Sequence, residues 1–551
     1  MLRIEFLRRE FNSIKHPIKL KIYFIFAFLS ISLFFYSIWE IKPVYVDVYD
    51  FLGLTSHLTP VYWAGFIIII FSSIGIYLDN ELKDIYIYIV TLFVLGLFLF
   101  GTPIFAEENA RYAWSYYPAG EVKQILKSGY IDSFSEYPLI SYRSWPATHL
   151  ISAFVIYLGN IEFETMIKYM PLWWIMFFIL ISFNIGKYLN LSLNQSFLFS
   201  FLSLSSFWTF HYYYGPPAIA YLMYLTLFMF FIRYFDSTRE RLLVVLTFCA
   251  IVMTHLLSSI FVLIVYSIRS IKKRKIILVI PLFVIFIFWY YFMAPFAFKM
   301  GVNELIRQIT DPKPPLSVLK TGKYNPGELL TRQITFLARL SYLAILGIPV
   351  IITFLHYITG KINTNKKEIE VCFYWIIGIS IFSFFQYGVT EIDDRMYIFN
   401  IIPAVGITIL SLNRKILLII MVLVITLHLP AHYGNESFDM TYNSELRGAE
   451  FFASKTPIDP RGYFYYGFPY VEYYNSSKLF SDGYLFSVSG VNASSRINAS
   501  VLYKPRYILI SRQVNNNVIY NYGFNPIPNW KSKNKFDFIY SNGDFEILRN
   551  I

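Results

Sequence analysis

Ile85-Tyr-Ile-Tyr-Ile-Val-Thr-Leu-Phe-Val-Leu-Gly-Leu-Phe-Leu-Phe-Gly101 carries no charge, and Thr102-Pro-Ile-Phe-Ala-Glu-Glu-Asn-Ala-Arg111 ends it on two acids and a cation. About 20 apolar residues cross a bilayer as a helix. The stretch therefore reads as a membrane helix that delivers Glu107 and Glu108 to the lip of the hydrocarbon, where an ionised carboxylate is costly to hold. Continued as a helix, the segment places Arg111 on the face of Glu108, three residues away. Acid and cation then stand where a lipid-borne phosphate reaches both.

The rest of the chain has the same character. Of 551 residues, 56% are hydrophobic, 20% aromatic and 15% charged, against about 25% charged in globular proteins. Apolar segments recur at roughly 22–39, 61–78, 85–101, 147–159, 171–187, 196–210, 217–234, 242–266, 276–293, 336–357, 369–386, 396–412 and 415–431. They predict a polytopic α-helical membrane protein with about thirteen spans. The net charge of +12 lies largely in short loops, where it orients helices and attracts anionic lipid rather than nucleic acid. Cys249 and Cys372 both fall in apolar runs, which argues against a disulfide framework or a thiolate metal site. The basic start, Met1 to Lys21, runs into a full-length span with no small-residue cleavage site, so no cleavable signal peptide is expected.

Positive charge places Arg269 to Lys275, Lys361 to Lys367 and Arg414-Lys415 inside, together with the N-terminal arm. Residues 103–146, 294–335, 387–395 and everything after 431 then fall outside. One cluster disagrees: this count puts Arg233, Arg239 and Arg241 outside too, unless 147–266 contains half-spanning hairpins.

The chain divides into a membrane domain, 1–431, with a long outer loop at 103–146, and an extracytoplasmic α/β domain, 432–551. In the latter, Asn443 to Phe452 reads as a helix, and Gly462 to Tyr466 and Tyr507 to Ile510 read as strands. Phe536 to Leu548 reads as a hairpin turning at Asn542-Gly543. Glycan-acceptor tripeptides at Asn435, Asn475, Asn492 and Asn498 agree with export.

The outer loop holds Glu107, Glu108 and Arg111, a short interfacial helix over Pro118 to Gly129, and a re-entry through Arg143-Ser-Trp-Pro-Ala-Thr-His149. Glu108-Asn-Ala-Arg-Tyr-Ala113, the proline at that re-entry, and Tyr169-Met-Pro-Leu-Trp-Trp through Gly186-Lys-Tyr-Leu189 resemble the membrane glycosyltransferases of the GT-C class. Within that class the chain looks most like lipid A aminoarabinose transferases, protein O-mannosyltransferases and their archaeal or bacterial relatives. Gly215-Pro-Pro217, Thr254-His-Leu256 and Asp393-Asp-Arg-Met through Pro403 continue the order, so the resemblance covers roughly 85–430.

The resemblance implies a GT-C-like fold and a glycosyltransferase that takes its sugar from a polyprenyl phosphate, dolichyl or undecaprenyl. The acceptor is a glycan, lipid or protein on the outer face of the cell membrane. Glu108 stands at the family's first-loop acid, with Glu107 as its alternative. Arg111, Arg143, His255 and Arg395 stand where the family places cations on the donor phosphate. Asn109 and Tyr214-Gly215-Pro216 depart from positions where the family often has a further acid, which leaves Asp47, Asp50, Asp393 or Asp394 as the second carboxylate.

The chemistry sets the same demands by itself. An acceptor hydroxyl needs a base, and a departing phosphate needs preorganised positive charge. A divalent cation such as magnesium or manganese would also serve, although no dense ligand cluster calls for one and the isolated histidines His149 and His255 are more often structural. A lipid-oligosaccharide flippase would carry mid-span charges and inverted repeats, and neither is evident in the sequence. A membrane-anchored surface-assembly protein would instead place its working part in the tail.

Overall fold

The computed structural model describes residues 17–131, 144–209, 211–233, 237–274, 279–295, 329–362, 365–381, 391–455, 463–466, 507–513 and 536–550, with a few isolated positions between them. The chain is mostly helical and multi-pass. Among the described residues seven helices are long and apolar enough to cross a membrane: Ile18–Ile41, Pro60–Leu78, Ile85–Ala106, Phe163–Tyr188, Pro216–Arg233, Leu330–Ile358 and Arg414–Tyr433.

In chain order the helices are α1 Pro17–Ile41, α2 Pro60–Leu78, α3 Ile85–Gly96, α4 Thr102–Ala106, α5 Tyr116–Ser128, α6 Ala147–Gly159, α7 Phe163–Tyr188, α8 Leu193–Ser205 and α9 Pro216–Arg233. There follow α10 Thr238–Val252, α11 Leu256–Lys272, α12 Ile280–Phe288, α13 Leu330–Ile358, α14 Lys366–Ser380, α15 Glu391–Ser411, α16 Arg414–Tyr433, α17 Glu436–Asp439 and α18 Asn443–Lys455. Their starts follow local chemistry. Thr59 caps α2 ahead of Pro60, Asp84 caps α3, Ser192 and Gln195 form a capping box on α8, and Asn413 caps α16.

Polar contacts define two ends of the bundle. At one, Asn194 donates to the carbonyl of Asp79 at 2.8 Å, Arg414 to that of Leu78 at 2.6 Å, and Lys19 pairs with Glu81 at 2.9 Å. Arg233 lies 4.1 Å over the Tyr188 ring there, and Lys272 lies 3.8 Å from Glu370. At the other end meet Arg111, Tyr212 and His432.

Two departures from the sequence reading cancel. The apolar run 242–266 is two helices, α10 and α11, broken at Met253 to His255. There the His255 imidazole caps α11 by accepting from the Ser258 amide. Segment 147–159 is the single helix α6, whose 13 residues reach about 20 Å, short of a hydrocarbon core of about 30 Å. It stays at one end, tied by Ser152 to Tyr214 at 2.9 Å and by its first amide to the Met253 carbonyl at 3.1 Å. Arg233, Arg239 and Arg241 thereby move to the end that holds the other basic turns, and the charge conflict disappears.

The tail forms a four-stranded sheet, β1 Tyr463–Tyr466, β2 Tyr507–Ser511, β3 Phe536–Ser541 and β4 Phe545–Asn550, in the order β1-β2-β4-β3. The β3–β4 hairpin turns at Gly543, whose φ of +92° suits glycine. Helix α18 lies against β4 so closely that Gly448 has no room for a Cβ beside Phe545. Phe452, Leu509 and Ile547 share one apolar cluster with Ala110, Tyr116 and Ala119. The sheet is thus packed on the outer loop rather than held apart from it.

Candidate acid–base and phosphate site

A wide helical turn at Leu97–Gly101 joins α3 to α4. Such a turn frees backbone carbonyls from the ladder, and inside a membrane they need partners. Tyr62 donates to the Phe98 carbonyl at 2.5 Å and Tyr433 to that of Leu99 at 2.8 Å. The turn therefore locks α3–α4 against α2 and α16 just before the acids.

Beyond Ala106 the chain is extended, not helical. The Glu107 amide closes α4 on the Pro103 carbonyl at 3.0 Å, while the Tyr112 amide reaches the Asp439 carbonyl at 2.9 Å. Arg111 consequently shares no helical face with Glu108: the Ala110 amide turns to the Tyr116 hydroxyl and the Tyr112 amide to the tail. The two glutamates part company. Glu107 is 2% exposed, whereas Glu108 is exposed and its carboxylate accepts from the Asn443 amide side chain. Lys168 holds both of their carbonyls, at 2.7 and 3.0 Å.

Arg111 is enclosed. Its Nε donates to Glu436 Oε1 at 2.6 Å, its Nη1 to the Tyr212 hydroxyl at 2.6 Å, and its Nη2 lies 3.5 Å from Asp439. His432 presents Nδ1 to the Trp208 carbonyl at 2.8 Å, so that nitrogen carries the proton. Its Nε2 is then the acceptor for Arg111 and Tyr212, each at 2.9 Å. The side-chain exposures of Arg111 and Glu436 are 5% and 0%. Among the described residues no donor reaches either oxygen of Glu107 or Oε2 of Glu436. What faces Glu107 is the Glu436 carboxylate.

Burial, and then the Glu436 charge, hold the Glu107 carboxyl protonated well above the usual carboxylate range, against the pull of Arg111. Burial pushes Asp439 up to about 7, Glu436 adding to it and Arg111 opposing. Arg111 supplies the positive charge among these three carboxylates. Among the described residues no group of three or more His, Cys, Asp or Glu side chains is arranged for a metal ion.

Residues 206–209 and 211–215 form the other wall. Tyr212 faces Arg111, while its neighbour His211 lies within the field of Arg395, which also acts on His255. Burial and the Arg395 charge push His211 down to about 3, so its imidazole is neutral and offers a hydrogen bond rather than a charge. The Thr209 hydroxyl in the same loop is buried with no partner among the described residues. Arg339 lies 4.5 Å over the Trp208 ring and donates to the Ala431 carbonyl at 3.0 Å.

Of the residues expected from sequence, Glu107 and Arg111 are brought together, and Arg395 acts through its charge on His255 and on His211. Asp47 and Asp50 are engaged elsewhere. Asp50 pairs with His57 at 2.7 Å, and Asp47 lies 4.0 Å from Arg512. Arg143 lies outside the described residues, as do the side chains of Asp393 and Asp394. Sequence reasoning missed Glu436, Asp439, Tyr212, His432 and His211. The only available signal was the pair of acids two and five residues after the His432–Tyr433–Gly434 end of a span.

No family model matches the sequence, and no curated protein matches it. Among solved structures the chain is similar to ArnT from Cupriavidus metallidurans in the apo state, with a TM-score of 0.44 and 10% identity, covering 85% of this chain and 98% of that one. It is likewise similar to ArnT from the same organism bound to undecaprenyl phosphate, with a TM-score of 0.43 and 10% identity, covering 90% and 99% of the two chains. At this identity no residue role is transferred from either.

The tail braces the acids. Glu445, on α18, accepts from the Gln513 amide at 2.8 Å, and Asn516 donates to the Ser437 carbonyl at 2.8 Å inside α17. Burial raises Glu445 to about 8. A carboxyl whose folded pKa lies above its unfolded value of about 4.3 stabilises the fold fully below that value, and the contribution is lost as pH rises through the folded pKa. Thermal melting of the detergent-solubilised protein should therefore fall as pH rises from about 4.3 to about 8 and level off above that. Glu445→Gln, which keeps the acceptor for Gln513 without the charge, should flatten the decline; an unchanged profile in this variant would place the titration elsewhere.

Proposed function

We propose that this protein is a GT-C-type glycosyltransferase that moves a sugar from a polyprenyl-phosphate carrier to an acceptor hydroxyl at the outer face of the membrane. One observation carries the reading. The buried oxygens of Glu107 and Glu436, which no donor among the described residues reaches, lie beside Arg111 and Tyr212, while His211, next to Tyr212 in the chain, lies in the field of the Arg395 cation. The first suits an acceptor hydroxyl and its proton. The second suits a phosphate that gains negative charge as the glycosidic bond breaks.

In this mechanism Glu107 rests protonated, held so by burial and by the facing Glu436 carboxylate. The incoming hydroxyl donates into the pair. Arg111 fixes Glu436, and with its donors engaged by Glu436, Tyr212 and His432 it orients the base rather than gripping the donor. Arg395 supplies the charge on the phosphate, and His211 and Thr209 supply neutral hydrogen bonds.

The site lies at the end of the bundle opposite Arg233, Lys272 and Arg414. By the positive-inside rule it faces out of the cell, with the tail on the same side.

In a strain lacking the protein, mass spectrometry of lipid-linked sugars and surface glycans should show one polyprenyl-phosphate sugar accumulating and one terminal sugar missing. Unchanged levels of both would overturn the assignment. In membranes, Arg395→Ala should raise KM for the lipid donor at least about tenfold, a charge-assisted phosphate bond being worth about 1.5–3 kcal/mol. An unaltered donor KM would remove Arg395 from the phosphate.

A further inference from the structure

Helices α11 and α12 do not close on each other. Between them runs a groove of about 480 Å³ lined by Ile260, Leu263, Ile264 and Ile271 of α11 and by Phe283 and Ile287 of α12. Its lining is apolar apart from Ser267, whose hydroxyl is turned back onto the Leu263 carbonyl of its own helix at 2.6 Å.

From Ile260 to Ile271 the groove follows α11 for about 17 Å, close to the roughly 15 Å depth of one leaflet. It ends directly below the exposed turn Lys272-Lys273-Arg274. Lys272 is drawn towards Glu370, 3.8 Å away, and sits over the Tyr374 ring. Among the described residues no ion pair engages Lys273 or Arg274.

An apolar slot one leaflet deep, capped by two uncompensated cations, has the dimensions and charge of one class of molecule. We infer that the α11–α12 groove seats an anionic phospholipid, with an acyl chain along Ile260 to Ile271 and its headgroup phosphate on Lys273 and Arg274. This site is at the end of the bundle opposite the acids and does not depend on the proposed reaction. Its physical effect is to fill the gap between the two helices, and so to hold α11 in place. The same helix carries His255 at its far end, about 26 Å away along 17 residues.

Native mass spectrometry of the full chain, released from detergent with equal amounts of phosphatidylglycerol and phosphatidylcholine, tests this. Two cations near a headgroup should favour the anionic lipid about 30-fold, at roughly fivefold each. K273Q/R274Q should bring the two lipids close to parity. Ser267→Phe or Ile264→Trp, which fill the slot and leave the charges, should remove bound lipid of both kinds; whichever elutes as folded protein gives the reading. Equal retention of the two lipids by the wild type overturns the inference. So does an anionic preference that survives K273Q/R274Q, lipid retained in the filled variants, or a second copy of the chain in place of lipid adducts.

Discussion

Glu107→Gln lowers sugar transfer by a factor of about 10² to 10⁴, the range expected for losing a positioned acid–base group, and leaves the folded protein as stable as before. That is the expected result, and its two halves have one cause. Burial and the facing Glu436 keep the Glu107 carboxyl protonated, so an amide of the same shape replaces a group that was already neutral. The fold does not register the exchange, but the carboxyl that can give up and take back a proton is gone.

Glu436→Gln should lose transfer to a similar degree and some stability as well, because it weakens the 2.6 Å bond to Arg111. Glu108→Gln should change turnover little, since that side chain is exposed and bonded to Asn443. Transfer assays in membranes, with melting curves on the same variants, separate these outcomes. Full turnover in Glu107→Gln together with an inactive Glu108→Gln would move the base to the neighbouring residue and reverse the assignment.

Arg111→Ala should be the most destabilising single change near the site, at about 3–5 kcal/mol, the usual consequence of removing one partner of a buried ion pair. The guanidinium binds Glu436, Tyr212 and His432 and lies 3.5 Å from Asp439, and it is almost wholly enclosed. Without it, Glu107 and Glu436 lose the cation beside them, and Asp439 keeps only the weaker pull of Arg339. Protonation offers the partial escape, so the variant should recover part of its stability at low pH. Arg111→Lys keeps the charge but cannot fork between an acid and a phenol, and should fall between the two. Melting temperatures in detergent at pH 5 and pH 8 measure this. A loss below about 1 kcal/mol at both would mean that the cation is not what holds the acids together.

The sequence and the structure part where contacts become distant. The opening run from Ile85 to Gly101, the helical multi-pass character and the Asn542-Gly543 hairpin were legible because each depends on neighbours in the chain: hydrocarbon length, period and turn preference. Glu107 was legible for the same reason, as the first charge after a span.

The choice between Glu107 and Glu108 was not legible. Adjacent residues of one type differ only in which way an extended strand points them, and that direction is set by Asp439 and Thr441, more than 300 residues later. The split of 242–266 was hidden because Met253-Thr254-His255 interrupts an apolar run with residues that hydropathy barely registers. Its signature was a histidine able to cap a helix.

By itself, then, the sequence determined a chain that must be helical in a membrane, with acids waiting at the rim of a span. Those properties follow from hydrocarbon that tolerates neither open backbone nor stray charge. Only the tertiary structure decided which acids meet. Glu436 and Asp439 come from beyond the last span, on a four-residue helix too short to stand alone. They reach Glu107 because Arg111 draws them in and the tail's sheet, through Asn516 and Gln513, holds α17 and α18 in place. Charge pairing inside a buried site acts across space and leaves no spacing in the chain from which to read it.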